Sequence, residues 1–168
     1  MVKRSENLPS PEEWAAVKRE PTTRGPGAES VSIPAALLRE VIAAARAGAP
    51  NEACGLLVSD RVFAEGGVPT RYVSLRNAAQ SPYRYLIDPQ EQLKVWVELD
   101  EADEVVWAIV HSHVASPAAP SATDVGLAFY PDSLYVIVSL ADDKSPSVRV
   151  WSIRNGSVSE VSLTVVES

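Results

Sequence analysis

Residues 105–110, Val-Val-Trp-Ala-Ile-Val, form an apolar run without a charge that leads directly into His111-Ser112-His113. Such a run fits a strand covered on both faces, so the chain is expected to build a central sheet with further layers on each side. Strand geometry also dictates where the next side chains go. Positions i and i+2 point to one face, so His111 and His113, the two histidines of the chain, can bring both imidazoles to one metal ion without distorting the backbone.

Around this strand, helical and strand-like patterns alternate. Pro34 opens a run over residues 35–47 with Leu37, Leu38, Val41 and Ile42 at helical spacing and Gly48 placed as a stop. Strands are expected at 54–59, 71–75 and 83–87, the first two joined by a turn at 65–69, which together read as an antiparallel meander. Asp88-Pro89-Gln90-Glu91 has the form of a capping box and starts a helix over 89–99 whose apolar face is expected to be Leu93, Trp96 and Val97. The acidic residues 100–104 that follow read as a solvated face. A third helix over 121–129, strands at 134–140 and 148–153 around an Asp142-Asp143-Lys144 turn, and an edge strand at 158–166 complete an α/β (α+β) domain.

A chain of 168 residues, 46% of them hydrophobic, is long enough for one core. That core is placed in residues 31–168. Residues 1–30, rich in Pro, Gly, Glu and Arg, read as a flexible extension with one short helix capped at Ser10-Pro11-Glu12-Glu13. A formal charge of −7 argues against a phosphate-tracking surface, so nucleic acid is not an expected partner. The first ten residues are polar and no long apolar run occurs, which leads to the expectation of a cytoplasmic protein with no membrane role. The single cysteine, Cys54, lies in an apolar stretch and is expected to be a buried, reduced thiol.

Hydrolytic zinc sites take three protein ligands and keep one position for water. Asp124 is the best third ligand: after a loop over 114–120, Ser121 caps a helix whose first turn carries Asp124, and side chains there lean back toward the helix N-terminus. Glu52, just before the apolar strand, is the choice for a general base, because partial burial raises its proton affinity toward the useful range. Ser121 has two readings, a helix cap and a hydroxyl donor to the developing oxyanion.

This spacing, His111-Ser112-His113, seven residues, Ser121, two residues, Asp124, with Glu52 upstream, resembles the JAMM motif of the MPN+ zinc metalloproteases. Glu52-Ala53-Cys54-Gly55-Leu56-Leu57 looks like the stretch that follows the catalytic Glu in compact bacterial members. The resemblance covers about residues 31–155 and implies the MPN/JAMM fold, a cytidine-deaminase-like mixed central sheet flanked by helices. It implies Zn²⁺ on His111, His113 and Asp124, Glu52 as general base and acid, and Ser121 as oxyanion donor. The implied partner is a small ubiquitin-like sulfur-carrier protein cut after its Gly-Gly tail, in some cases with release of cysteine, a step of cysteine biosynthesis. An extended Gly-Gly tail suits a narrow groove. Val114 stands where many members have Pro. Whether the chain acts alone or as a homodimer is left open.

Three rivals remain. A cysteine hydrolase built on Cys54 with His111 or His113 as base needs an exposed thiol, which the apolar surroundings oppose. A non-catalytic MPN-like module that binds a carrier protein usually lacks part of this ligand set. A zinc deaminase ranks last, since its Pro-Cys-x-x-Cys ligands are absent from the sequence.

Overall fold

The apolar run and both histidines lie on one continuous strand, β4 (Val105–His113), whose last seven residues are all buried. Residues 30–167 are described by the computed structural model, so the helix expected at Ser10 lies outside the described residues. In chain order the remaining elements are β1 (Ser30–Pro34), α1 (Ala35–Gly48), β2 (Cys54–Ser59), a 3-10 turn (Phe63–Glu65), β3 (Arg71–Leu75), α2 (Pro89–Glu101), α3 (Ala122–Gly126), β5 (Leu134–Ser139), β6 (Ser147–Arg154) and β7 (Ser157–Val166). The seven strands form one mixed sheet in the order β1-β7-β6-β5-β4-β2-β3, parallel at β1–β7 and β4–β5 and antiparallel elsewhere.

β4 is central, between β2 and β5, as its uninterrupted apolar pattern requires. One face of the sheet carries Val110, Val136, Val138 and Val150 and packs against Leu37, Leu38 and Val41 of α1. The other face carries Leu56, Ile109, Ile137 and Ile153 and packs against Val95 and Leu99 of α2 and, through Ala118 and Val125, the segment around α3. His111 and His113 alternate with Ser112 on β4 and share the parity of Ile109, so they face the α2/α3 side.

Several expectations are corrected. Residues 83–87 do not form a strand; their β-type pairing with the chain before them is one isolated bridge, Asn77 to Ile87. The reason is that side chains take their backbone groups: the Leu86 N–H donates to Asn77 Oδ1 and the Arg84 carbonyl accepts from Asn77 Nδ2. β7 is not an edge, because β1, which offers only Val31 and Ile33 as an alternating signal, pairs outside it. The inner face of α2 is Val95 and Leu99 with Trp96 half-buried, whereas Leu93 is 49% and Val97 36% exposed.

The cap of α2 differs too. Asp88 accepts from the N–H groups of Gln90 and Glu91, but the Glu91 carboxylate does not return to Asp88; it takes the Arg76 N–H. The third helix is short, stopping at Gly126 rather than reaching residue 129. Gly48 is the last residue of α1 instead of lying beyond it. Among the described residues no helix is long and apolar enough to cross a membrane.

Leu57 is fully buried in β2 between β3 and β4 and belongs to the α1-side core. Leu57→Ala is expected to cost about 2–5 kcal/mol of unfolding free energy in urea titrations, as for other fully packed leucines. A loss below about 1 kcal/mol is incompatible with that close packing.

Candidate metal centre

The pairing of β2 with β4 sets Cys54 opposite His111. Continued by two residues, the same antiparallel register sets Glu52 opposite His113, on the face that both rings share. Ser112 points the other way and fastens this junction: the Ala53 N–H donates to Ser112 Oγ at 2.8 Å and the Ser112 N–H donates to the Ala53 carbonyl at 3.0 Å. The carboxylate of Asp124 arrives from α3. There Ser121 Oγ accepts from the Asp124 N–H at 3.1 Å and Asp124 Oδ2 accepts from the Ser121 N–H at 2.9 Å, a reciprocal capping box that fixes the side chain.

Three donor atoms then converge. His111 Nε2 and His113 Nε2 are 3.2 Å apart, and Asp124 Oδ2 lies 3.2 Å from the first and 3.0 Å from the second. All three residues are buried. Ligands about 2.0–2.1 Å from a tetrahedral zinc stand about 3.3 Å from one another, so this triangle is close to the right size. Protonation points the same way. His113 Nδ1 donates to the Pro117 carbonyl at 2.7 Å, so a neutral ring turns the lone pair of Nε2 toward the other two donors. A carboxylate oxygen 3.0 Å from Nε2 is matched either by a proton on that nitrogen or by a cation that takes the proton's place. The donor set of two imidazoles and one carboxylate fits a divalent ion of the zinc class.

Electrostatics follow from burial and this contact. Burial pulls the His111 imidazole down, and its contacts with Asp124 offset that only in part. For His113, burial acts downward too, but the Asp124 and Pro117 hydrogen bonds outweigh it and raise its proton affinity. Burial pushes Asp124 up, yet the hydrogen bonds from both histidines hold it well below the usual carboxylate range. Burial lifts the Glu52 carboxyl from 4.5 to about 7, with His113 opposing and Asp124 reinforcing the rise. Glu52 Oε2 and His111 Nδ1 are buried without a hydrogen-bond partner among the described residues.

The loop over 114–120, which carries Val114 where the resembling proteins often have Pro, is anchored at three points. His113 holds the Pro117 carbonyl, Ser139 Oγ of β5 donates to the Ser116 carbonyl at 2.6 Å, and Trp151 Nε1 of β6 donates to the Ala118 carbonyl at 2.9 Å. Its stiffness comes from these bonds. Cys54 is 1% exposed, and burial pushes its thiol up to about 12, so it has no nucleophile's environment.

Two neighbours have no counterpart among the expected site residues. The Tyr85 ring stacks on His111 with centroids 4.5 Å apart and also lines an apolar cavity with Ile109, Leu127 and Phe129. Asn77 bonds to the main chain of Glu52. The sequence places Tyr85 in a strand-like segment, and nothing in the sequence around Asn77 signals its contact.

Residues 34–154 match the model of the prokaryotic homologs of the JAB domain. The chain belongs to that family. Among relatives of this JAB domain, the CysO-cysteine peptidase of Mycobacterium tuberculosis is 44% identical over 139 residues, covering 80% of this chain and 90% of the relative. The desampylase of Pyrococcus furiosus is 28% identical over 116 residues, 68% of this chain and 76% of the relative. A solution structure of a Desulfitobacterium hafniense protein superimposes with a TM-score of 0.73 at 36% identity, covering 82% of this chain and 94% of that one. A JAB1/MPN domain protein from Archaeoglobus fulgidus shares the fold, with a TM-score of 0.50 at 20% identity and 80% and 98% coverage. The expected MPN-type mixed sheet is the fold of this JAB domain.

Removing one corner of the triangle tests the centre directly. His113→Ala is expected to lower Zn²⁺ affinity by more than the roughly 100-fold that outer-shell changes reach, measured by competition with a chromophoric chelator. Unchanged affinity excludes His113 as a ligand. The raised Glu52 carboxyl makes a second, pH-dependent prediction for metal-free protein. A carboxyl whose folded value is raised from 4.5 to about 7 costs nothing below pH 4.5, an increasing amount up to pH 7 and a constant amount above. Metal-free Glu52→Gln is therefore expected to unfold at a higher temperature than wild type at pH 8, with the gap closing by pH 4.5 in scanning calorimetry. A gap independent of pH contradicts the buried carboxyl.

Proposed function

We propose that this chain is a zinc-dependent peptidase or isopeptidase that hydrolyses the amide bond after the C-terminal Gly-Gly of a small ubiquitin-like sulfur-carrier protein and releases cysteine. The observation that carries this reading is the convergence of His111, His113 and Asp124 within 3.0–3.2 Å, with the buried Glu52 on the same face. Kinship with a CysO-cysteine peptidase and a desampylase supports the choice of a carrier protein as substrate. A cytoplasmic location belongs to the same reading.

His111, His113 and Asp124 would hold the ion, which when bound supplies Lewis acidity and a water that ionises near neutral pH. The protein's own groups then divide the proton work. Glu52, buried on the face that both imidazoles share, takes a proton from the attacking water and returns it to the leaving amine, as a carboxylate beside the reacting atoms can serve both directions. Ser121 accepts the Asp124 N–H with one lone pair and keeps its O–H to donate to the carbonyl oxygen as negative charge develops there. A Gly-Gly tail has no side chain to obstruct an extended approach to these groups.

The test is incubation of the zinc-loaded protein with a carrier ending in Gly-Gly-Cys, following free cysteine. Wild type is expected to release it. Glu52→Gln is expected to lower kcat by about 10²–10⁴-fold with KM little changed, because a proton-transfer group is lost while its size and surroundings are kept. No release by wild type, or equal release by the variant, overturns the reading.

A further inference from the structure

We infer that Asn77 is a positioning residue for Glu52, holding its main chain in place through the side-chain amide. The inference rests on the peptidase reading for the role of Glu52. It begins with register: β3 pairs with β2 so that Leu75 lies opposite Cys54, and two residues further the pattern sets Asn77 opposite Glu52. Glu52 thus stands between His113 on one side and Asn77 on the other, at the point where β2 has not yet begun and no ladder bonds hold it.

What holds it is the segment after β3. The Glu52 carbonyl accepts from Asn77 Nδ2 at 2.9 Å, and the Glu52 N–H donates to the Ser81 carbonyl at 2.8 Å. Both backbone groups of the residue are therefore tied to one short stretch of chain. Asn77 also shapes that stretch. Its Oδ1 accepts from the N–H groups of Ala79 at 3.0 Å and Leu86 at 2.9 Å, and its Nδ2 donates a second bond to the Arg84 carbonyl at 3.1 Å. One amide thus uses both donors and both acceptor sites, the full inventory of its side chain. The same fold of the loop carries Tyr85 onto the face of His111.

The Glu52 carboxylate has an oxygen buried without a partner, so nothing that bonds to its side chain there sets its direction. The hydrogen bonds that locate Glu52 are thus those of its backbone, and Asn77 supplies one of the two. Asn77 touches neither the metal ligands nor the space in front of them in any described contact; it acts through Glu52 and the loop.

The variant that isolates this role is Asn77→Asp, which keeps both acceptor bonds that close the loop and loses both donors. In the zinc-loaded protein, kcat for cleavage of a Gly-Gly-Cys carrier is expected to fall about 10- to 100-fold, the scale of a misplacement near 1 Å, with KM and zinc content close to wild type. Independently of any substrate, amide hydrogen exchange at Glu52 is expected to speed up at least about 10-fold while that of Val110 in β4 stays unchanged, since the tie is local. Wild-type kcat together with wild-type exchange at Glu52 overturns the inference. A fall in kcat accompanied by equal loss of zinc also overturns it, since that assigns Asn77 to the metal centre and not to the base. If Asn77→Asp does not fold, Asn77→Ser, which places no new charge against the Glu52 and Arg84 carbonyls, is read by the same criteria. If wild type cleaves no carrier, the peptidase reading fails by itself, and the exchange at Glu52 still decides whether the tie exists.

Discussion

The alignment of β2 on β4 is the constraint on which the rest of the molecule depends. It pairs Cys54 with His111 and thereby puts a carboxylate, two residues before one strand begins, across from an imidazole at the end of the other. Side chains alternate along strands, so a slip of one residue in this register turns Glu52 to the opposite face and leaves His113 without it. The fold guards against such a slip in two ways. Leu56 and Ile109 face the α2-side core while Leu57 and Val110 face the α1-side core, so a slip would carry each into the wrong layer. The hydroxyl of Ser112, wedged onto the Ala53 amide, adds a bond that no shifted register keeps.

A site of this kind is costly to the fold that carries it. Two imidazoles, a depressed carboxylate and a raised carboxyl are packed within one buried corner, and two of their polar atoms have no partner among the described residues. The compensation lies in the surroundings: uncharged strands on both sides of β4, two separate apolar layers, and the capping box that sets the Asp124 side chain before any ion arrives. Preorganisation of this sort holds the three donor atoms in place, so that an ion bound there need not also order them.

Much of this was legible in the sequence, and for identifiable reasons. The central strand could be read because burial on both faces leaves a continuous apolar signature, and the two histidines because same-face spacing is a property of the strand itself. Asp124 followed from Ser121, whose capping chemistry marks a helix start. What escaped depends on tertiary context. The inner face of α2 was misread because Leu93 and Val97 are as apolar as Val95 and Leu99, and only docking on the sheet decides between the two stripes. β1 escaped because five residues with two apolar positions carry little periodicity, and its hold comes from pairing with a strand 132 residues away in the chain, Ser30 with Ser162 and onward. The stretch over 83–87 has the aromatic and branched residues of a strand, yet Asn77 captures backbone groups that a ladder would need.

The loop between His113 and Ser121 is irregular in backbone yet nailed to β4, β5 and β6 by a ring nitrogen, a hydroxyl and an indole. It therefore behaves as a ruler and not as a tether. Each anchor measures off a fixed number of residues, so an inserted or deleted residue there would displace Asp124 from the triangle or break an anchor to keep it. Length variation is much cheaper at the exposed Asp142-Asp143-Lys144 turn. The seven-residue spacing is thus fixed by mechanics, even at loop positions whose own side chains do no chemistry.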